Sequence, residues 1–142
     1  MNNDIATRLS NKLWKRANHL LELANLSLDK GFYDVSCSVA LKAAKLALIS
    51  LNLVICDKIP RTSSLKQLFS TITQNTNENI REIIIEFMKK YRKDITRLES
   101  SDTELVLSID TKTKEQATHC ISIAYSIMKL IHKIQEAMRD NS

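Results

Sequence analysis

The sequence VSCSVALKAAKLALISLNLVIC, residues 35–56, is apolar on almost every side and carries only two charges, Lys42 and Lys45. A helix with so little polar surface is covered by protein on more than one side. The stretch therefore predicts a central helix from about Tyr33 to Cys56, which faces either other helices of the chain or a second subunit. Small residues form a narrow face that another helix can approach closely, namely Ala40, Ala43, Ala44 and Ala47.

The residues before this stretch predict a first amphipathic helix, from about Asp4 to Lys30. Gly31 predicts a left-handed end to that helix, and Asp34 places an acid in the first turn of the next one, where exposed N–H groups favour negative charge. Apolar residues recur along the first helix at spacings of three and four, the pattern of one buried face: Ile5, Leu9, Leu13, Ala17, Leu20, Ala24 and Leu28.

A loop and two helices are predicted after the central helix. The loop covers about residues 57–64 and contains Pro60 and two residues suited to capping, Ser63 and Ser64. A short helix extends from about Leu65 to Thr73. A fourth helix is predicted from about Glu78 to Leu98, because its apolar residues fall on one face: Ile80, Ile83, Ile84, Phe87, Met88, Tyr91, Ile95 and Leu98.

The last helix is predicted from about Thr113 to Asp140, and Thr113 with Gln116 matches a capping box. Residues 99–112 before it are mostly polar and predict a loop, attached to the body of the protein by Leu105, Leu107 and Ile109. The result is one domain over residues 1–142. Its predicted fold is all-α, a five-helix, up-and-down antiparallel bundle of four long helices and one short one.

The composition agrees with an all-helical domain and excludes several other classes. The chain has 142 residues with one Gly and one Pro, too few turn residues for a sandwich, a barrel or a Rossmann sheet. The net charge of +5 is a mild surplus that helps to steer a polyanion. The first residues are too polar for a signal peptide, and a fully apolar run of about 18 residues does not occur. We therefore expect a cytoplasmic protein without a membrane association.

The sequence offers no pattern typical of a metal or catalytic site. Cys37, Cys56 and Cys120 are odd in number and far apart, which argues against both a zinc site and a disulfide. One glycine cannot build a phosphate-binding loop. His119 and His132 lie about 20 Å apart along one predicted helix, so they cannot share a site within one chain. We therefore expect no metal, no cofactor and no catalytic residue.

A cluster of cations surrounds Tyr91 near the end of the fourth predicted helix: Lys89, Lys90, Arg92, Lys93 and Arg97. One interpretation is that these cations complement the helix dipole. The other is a phosphate-binding patch, in which Arg97 is the most specific donor because a guanidinium binds phosphate through two hydrogen bonds. A second basic group beside Trp14 is open to two similar interpretations, a solvated helix face or a phosphate contact, and consists of Lys12, Lys15 and Arg16.

Residues 16–54, RANHLLELANLSLDKGFYDVSCSVALKAAKLALISLNLV, resemble the opening helical hairpin of the HEPN family (higher eukaryotes and prokaryotes nucleotide-binding). In that family a first helix ends in a Gly-x-Tyr-Asp turn, which matches Gly31, Tyr33 and Asp34. A helix with an Ala-x-x-Ala-Ala-x-x-Ala core follows, which matches residues 40–47. The short helix after the proline, the segment KKYRKDITRLES and the long last helix extend the resemblance over nearly the whole chain.

The resemblance implies a five-helix bundle that commonly forms homodimers and is associated with nucleotide or RNA binding. Many members are paired with a minimal nucleotidyltransferase in toxin–antitoxin-like systems. Active ribonucleases of the family carry an Arg and a His separated by four to six residues, the Arg to hold the scissile phosphate and the His to move the proton of the 2′-hydroxyl. No histidine follows Arg97 at that spacing, and no arginine precedes any of the three histidines at it.

Three hypotheses about function follow. The leading one is a non-catalytic, homodimeric HEPN-type domain that binds nucleotide, RNA or a nucleotidyltransferase-type partner protein. Its phosphate contacts would come from five residues that line a cleft, which two subunits can share: Arg97, Arg92, Lys93, Lys89 and Tyr91. The first alternative is a degenerate, metal-independent ribonuclease that uses His19 or His119 from elsewhere in the fold or across a dimer. The second is a purely structural interaction module whose apolar second helix docks a partner.

Overall fold

Seven α-helices make up most of the chain that the computed structural model describes, residues 3–61 and 64–140, and no strand occurs in those residues. The predicted all-α class is therefore confirmed. The capping residue predicted at Ser63 lies outside the described residues. In chain order the helices are α1 (Asn3–Asp29), α2 (Tyr33–Cys56), α3 (Leu65–Gln74), α4 (Glu78–Lys90), α5 (Arg92–Glu99), α6 (Ser101–Leu107) and α7 (Lys114–Asp140).

α2 is the central helix, as its sequence predicts. It packs against α1, α3, α5, α6 and α7, and Leu41, Leu48 and Leu51 are fully buried. Its small-residue face is fully buried too, in one core with Ala17 and Ala24 of α1. Small side chains bring helix axes close together, and α1 is the helix with which α2 makes its most extensive contact. Of the two possibilities that the sequence left open, α2 therefore faces helices of its own chain.

The length and composition of α2 would also suit a membrane span. Its mean hydropathy is 1.9, but 56% of the most apolar window is buried inside the bundle. Core helices of globular proteins have the same composition, because both environments exclude water from the side chains. Burial by the other helices of this chain explains the apolar sequence of α2 without a membrane.

The turn between α1 and α2 sets the two helices antiparallel. Gly31 has φ of +77°, the left-handed conformation that its position predicts. The N–H of Gly31 bonds the carbonyl of Leu28 at 3.0 Å, and the N–H of Phe32 bonds that of Ser27 at 2.9 Å. These bonds satisfy carbonyls that the end of a helix leaves free.

The other long helices continue the up-and-down order. Ser10 of α1 bonds Ser50 of α2 through their hydroxyls at 2.9 Å, so the beginning of α1 lies beside the end of α2. Cys37 near the start of α2 is bonded to Cys120 near the start of α7, so the end of α1 lies beside the start of α7. Trp14, earlier in α1, stacks on His132, later in α7, and α7 therefore runs antiparallel to α1. α4 and α5 run antiparallel to α7. Phe87 of α4 lines one concavity with Lys133, late in α7, whereas Asp94, farther along in α5, forms an ion pair with His119, early in α7.

The number of helices differs from the prediction of five. The fourth predicted helix bends at Tyr91, which has φ of −110° and ψ of 19°, and α5 begins at the next residue. The bend is a kink rather than a break, since the N–H of Ile95 still bonds the carbonyl of Tyr91 at 2.9 Å. Beyond the kink, α5 reaches α7 and α2 and buries Ile95 and Leu98.

α6 forms in the segment predicted as a loop. Asp102 accepts hydrogen bonds from the hydroxyl of Ser38 and, at 2.8 Å, from Lys42 Nζ, both in α2. Polar contacts of this kind attach α6 to the body, and the prediction that apolar side chains do so is wrong. Those side chains are exposed, by 43% at Leu105, 74% at Leu107 and 100% at Ile109.

A disulfide joins Cys37 of α2 to Cys120 of α7, with Cα atoms 5.2 Å apart. The prediction against a disulfide is therefore wrong. Spacing along the sequence does not indicate this bond, because the two cysteines are separated by 83 positions and meet only through the packing of α2 on α7. Cys56 is free and partly buried; burial raises the pKa of its thiol, and the charge of Lys58 partly offsets this.

Candidate functional site

The strongest candidate site is a concavity of about 540 Å³ where α5, α6 and the beginning of α7 meet. We call it the Arg97 groove. It combines cations, acids and an imidazole, all on or close to the ends of these helices. The residues that line it are Arg97, Glu104, Lys112, Glu115, Gln116, His119 and Cys120.

Arg97 lies on α5, the helix that begins directly after the kink at Tyr91. Ile95 and Leu98 of this helix enter the core, and Arg97 between them is exposed. Among the described residues, no carboxylate lies within ion-pair distance of its guanidinium. Arg97 is therefore a cation in a concavity with its hydrogen-bond donors available to a ligand.

His119 enters the same groove from α7. A capping box fixes the start of that helix, as predicted: the N–H of Thr113 bonds Gln116 Oε1 at 2.8 Å, and the N–H of Gln116 bonds Thr113 Oγ1 at 3.1 Å. His119 Nε2 lies 2.6 Å from Asp94 Oδ1 of α5. An ionised carboxylate only accepts hydrogen bonds, so Asp94 favours the tautomer with the proton on Nε2 and leaves Nδ1 as the basic nitrogen.

Lys112 and Glu104, two further charges of the groove, pair with each other, whereas Glu115 has no cation within ion-pair distance among the described residues. Lys112 Nζ lies 3.1 Å from Glu104 Oε2, and Ser100 Oγ lies 2.5 Å from Glu104 Oε1. The hydrogen bond from Ser100, together with the hydrogen bond and charge of Lys112, lowers the pKa of Glu104 against the opposing effect of burial. Glu104 thereby stays ionised and neutralises Lys112, so Arg97 and His119 are the groups left to bind an anion.

The structure divides the cationic cluster that the sequence singled out. Tyr91 lines a second concavity, between α4 and α7, together with Lys90 and Phe87. Its ring contacts that of Phe87, with centroids 4.6 Å apart, and Lys90 Nζ lies 5.3 Å from its centroid. Three other members are exposed and line neither concavity: Lys89, Arg92 and Lys93. Of the five predicted residues, only Arg97 lines the groove, and a joint role of all five in phosphate binding stays a prediction.

The second basic group is exposed along α1 at Lys12, Lys15 and Arg16. Trp14 is partly buried and lies beside α7, with its ring centroid 6.5 Å from that of His132. The three cations of this group thus face solvent, whereas Trp14 lies in the contact of α1 with α7.

The sequence predicts Arg97 as a phosphate contact and offers His119 only as a histidine of the ribonuclease alternative, without placing the two in one site. His119 is 25 positions from Asp94 in the sequence and nearly as far from Arg97. The spacing of four to six residues between arginine and histidine therefore does not reveal that His119 and Arg97 share a groove. The available signal was topological, since helices predicted to be antiparallel bring the end of the fourth beside the start of the last. Within the described residues, no group of three or more His, Cys, Asp or Glu side chains is arranged to hold a metal ion.

The fold and the groove define an α-helical bundle domain in which an arginine and a histidine from different helices share one anion-accessible concavity. The HEPN domain profile matches residues 10–135, and the chain belongs to the HEPN domain family, a family of nucleotide-binding and ribonuclease-like domains. No curated protein and no solved structure shows significant similarity to the chain.

Proposed function

We propose that this HEPN domain binds a phosphate group of a nucleotide or of RNA in the Arg97 groove. The observation that carries the proposal is the guanidinium of Arg97, which lies in a concavity with His119 and, among the described residues, has no acidic partner. Two hydrogen bonds from one guanidinium match the oxygens of a phosphate. The concavity of about 540 Å³ is of the size that small ligands occupy.

The charges of the groove favour a small number of phosphates over a long polyanion. Glu104 and Glu115 line it beside the cations, and a carboxylate repels each additional phosphate. Arg97 thus supplies local affinity, while the net charge of +5 helps to steer an anionic ligand towards the protein.

Binding of fluorescently labelled single-stranded RNA, followed by anisotropy, tests this proposal, with AMP titrated by calorimetry in parallel. Arg97→Ala is expected to weaken binding roughly 10- to 100-fold, since hydrogen bonds to a charged group contribute about 1.5–3 kcal/mol. Arg8→Ala is the matched control, because Arg8 is an exposed arginine of α1 and the substitution removes the same charge. Equal loss in both variants, or no binding by the wild type, would contradict the proposal.

Metal-independent RNA cleavage is a second candidate, favoured by the contact of His119 with Asp94. In this mechanism His119 Nδ1 takes the proton of the 2′-hydroxyl, and the 2′-oxygen forms a bond to phosphorus. The bond from phosphorus to the 5′-oxygen breaks, and that oxygen takes a proton from water. Arg97 stabilises the negative charge that develops on the phosphate.

A cleavage assay in EDTA separates this candidate from simple binding. His119→Ala is expected to reduce the cleavage rate at least 100-fold, the usual contribution of a positioned general base. His19→Ala is the matched control, because His19 is exposed on α1, and it also tests the alternative histidine that the sequence left open. No cleavage by the wild type, or equal rates in both variants, would leave phosphate binding without catalysis.

We further propose that the domain forms a homodimer and acts with a nucleotidyltransferase-type partner in a toxin–antitoxin-like pair in the cytoplasm. Support comes from the apolar side chains around the end of α6, where Val106 is 77% and Leu107 74% exposed. Exposed apolar groups of this kind are typical of interfaces. α2, the docking helix of the structural-module hypothesis, is largely covered by its own chain, so the α6 surface is the better candidate.

Light scattering coupled to gel filtration tests the homodimer. Leu107→Asp is expected to convert a dimer into a monomer, because it places a charge in the buried interface. Lys114→Asp, a substitution at an exposed residue at the start of α7, is the control. A monomeric wild type, or a dimer that Leu107→Asp leaves intact, would contradict this interface.

A further inference from the structure

A third concavity lies between α1 and α7, and its walls are mainly apolar and aromatic. Its volume is about 250 Å³, slightly below the range of about 300–1,000 Å³ for drug-sized ligands and suited to one ring system. Leu21 and Met128 form part of the wall, and Trp14 and Tyr125 supply rings from the two helices. An accessible concavity with these walls suits a flat, apolar ring more than a sugar or an ion.

The ring of Trp14 is held in a fixed orientation. It packs against the hydrophobic core and lies nearly parallel to the ring of His132, with an angle of 20° between the planes and 6.5 Å between the centroids. His132 Nε2 is in turn 3.0 Å from Glu136 Oε1. The stacking surface therefore exists before a ligand arrives, which lowers the entropy lost on binding.

Two lysines stand at the edge of this concavity. Lys129 and Lys133 are four residues apart on α7, both exposed, so they lie on the same side of the helix. Among the described residues, neither ammonium group has a carboxylate within ion-pair distance, and Glu136, which also lines the concavity, is paired with His132. Lys129 Nζ instead lies 5.4 Å from the ring centroid of Tyr125.

Rings beside unpaired cations are the elements with which proteins bind a nucleobase and its phosphate. We propose that this concavity binds one nucleobase stacked on Trp14, with the attached phosphate on Lys129 and Lys133. The base belongs either to a free mononucleotide or to a single strand that continues along α7. Lys129 and Lys133 also line the concavity of Tyr91, which places a second ring on the other side of the lysines for a neighbouring base.

This site is distinct from the Arg97 groove. His119 and Lys129 are ten residues apart on α7, about 15 Å along a helix. The proposal depends on the rings and lysines between α1 and α7, and it stands whether or not the groove binds phosphate.

The intrinsic fluorescence of the full chain tests the proposal, because Trp14 is its only tryptophan. AMP is titrated in one arm, a short single-stranded RNA in a second and inorganic phosphate in a third, each corrected for absorption with free tryptophan. Saturable quenching is expected with AMP and with RNA but not with phosphate. Tighter binding of RNA than of AMP, with a steeper salt dependence, identifies the strand as the source of the base; equal affinities identify the mononucleotide.

Variants decide whether the quenching arises at this site. Lys133→Gln is expected to weaken the quenching by AMP about tenfold. Lys66→Gln, the same substitution at an exposed lysine of α3, is the matched control and is expected to leave the quenching unchanged. Trp14→Phe, followed by calorimetry, keeps a ring and is expected to retain most of the affinity, whereas Trp14→Ala loses about tenfold or more. Lack of saturable quenching by both AMP and RNA, quenching that Lys133→Gln leaves unchanged, or an equal loss in Lys133→Gln and Lys66→Gln would each overturn the proposal.

Discussion

His119 Nε2 and Asp94 Oδ1 lie 2.6 Å apart and join the last helix to the kinked helix α5. The contact orients the imidazole of His119, and the acid that does so lies on the same short helix as Arg97. α5 begins after the kink at Tyr91 and packs against α7. One tertiary contact thus joins the two helices that supply Arg97 and His119 to the candidate anion site.

Asp94→Ala is predicted to impair the groove more than the fold. The two side chains are 49% and 25% exposed, and ion pairs of that kind contribute less than about 1 kcal/mol to the free energy of unfolding. The imidazole, however, loses the group that fixes its tautomer. We expect RNA binding or cleavage to fall roughly tenfold, measured by anisotropy and in EDTA, with thermal unfolding recorded on the same samples.

Asp94→Asn serves as the control for this prediction, because the amide retains a hydrogen-bonding oxygen without the charge. An intermediate effect is expected. A loss of stability well above 1 kcal/mol in Asp94→Ala, with unchanged RNA binding, would show that the contact is structural alone.

The fold was predictable where one helix face or one residue type decides the outcome. The apolar run of α2, the Gly31 turn and the capping box at Thr113 are local signals, and the structure follows each of them. The kink at Tyr91 was not predictable, because the apolar spacing continues from Phe87 through Tyr91 to Ile95 as if the helix were straight. α6 was missed since its stability comes from distant partners in α2, not from its own short sequence.

The candidate site was predictable only in part, for a related reason. Arg97 stands out by its residue type at a helix end. His119 becomes its partner only through the packing of α7 on α5, and the same is true of Cys120 and Cys37 across α7 and α2. To predict side-chain pairs between helices that are far apart in the sequence, one has to know how the helices pack. The periodicity of each helix shows which face is buried but not which helix covers it.

Reduction of the Cys37–Cys120 disulfide is predicted to lower stability without unfolding the domain. The bond closes a long loop, and constraining such a loop in the unfolded chain stabilises a protein by about 2–4 kcal/mol. The Cys37→Ser and Cys120→Ser pair of substitutions is expected to lower the denaturation midpoint accordingly, measured in urea. Cys56→Ser is the control and is expected to cause a smaller change. Equal effects would show that the disulfide does not contribute.

The redox state of these cysteines in cells tests the proposed cytoplasmic location. Disulfides are rare in the cytoplasm because thioredoxin and glutathione reduce them. Cells are lysed in acid, the protein is denatured and alkylated, and the mass is measured. A cytoplasmic protein is expected to carry three alkyl groups, one on each cysteine. Alkylation of Cys56 alone would show that the bond persists and would contradict the proposed location.

The attachment of α6 is predicted to weaken in acid because of Asp102. Partial burial disfavours the charged carboxylate, but hydrogen bonds from Lys42 and Ser38 and the nearby lysine charges outweigh this effect and hold the pKa of Asp102 below its ordinary value of 3.8. A carboxyl group whose pKa is lower in the folded protein than in the unfolded chain stabilises the fold at pH values above its unfolded pKa. This stabilisation is lost as the pH falls through its folded pKa. The contribution is therefore complete near neutral pH and disappears below pH 3.8.

Asp102→Asn tests this assignment by urea unfolding at several pH values. The substitution is expected to lower stability by up to about 1 kcal/mol at pH 7, a modest amount because the Asp102–Lys42 pair is partly exposed to solvent. The difference from the wild type should shrink as the pH falls below 4, because the wild-type carboxyl then takes up its proton. Asp110→Asn, at an exposed position before α7, is the control and is expected to show no such convergence. A difference between Asp102→Asn and wild type that is constant over the whole range would rule out the ionised carboxylate as the attachment of α6.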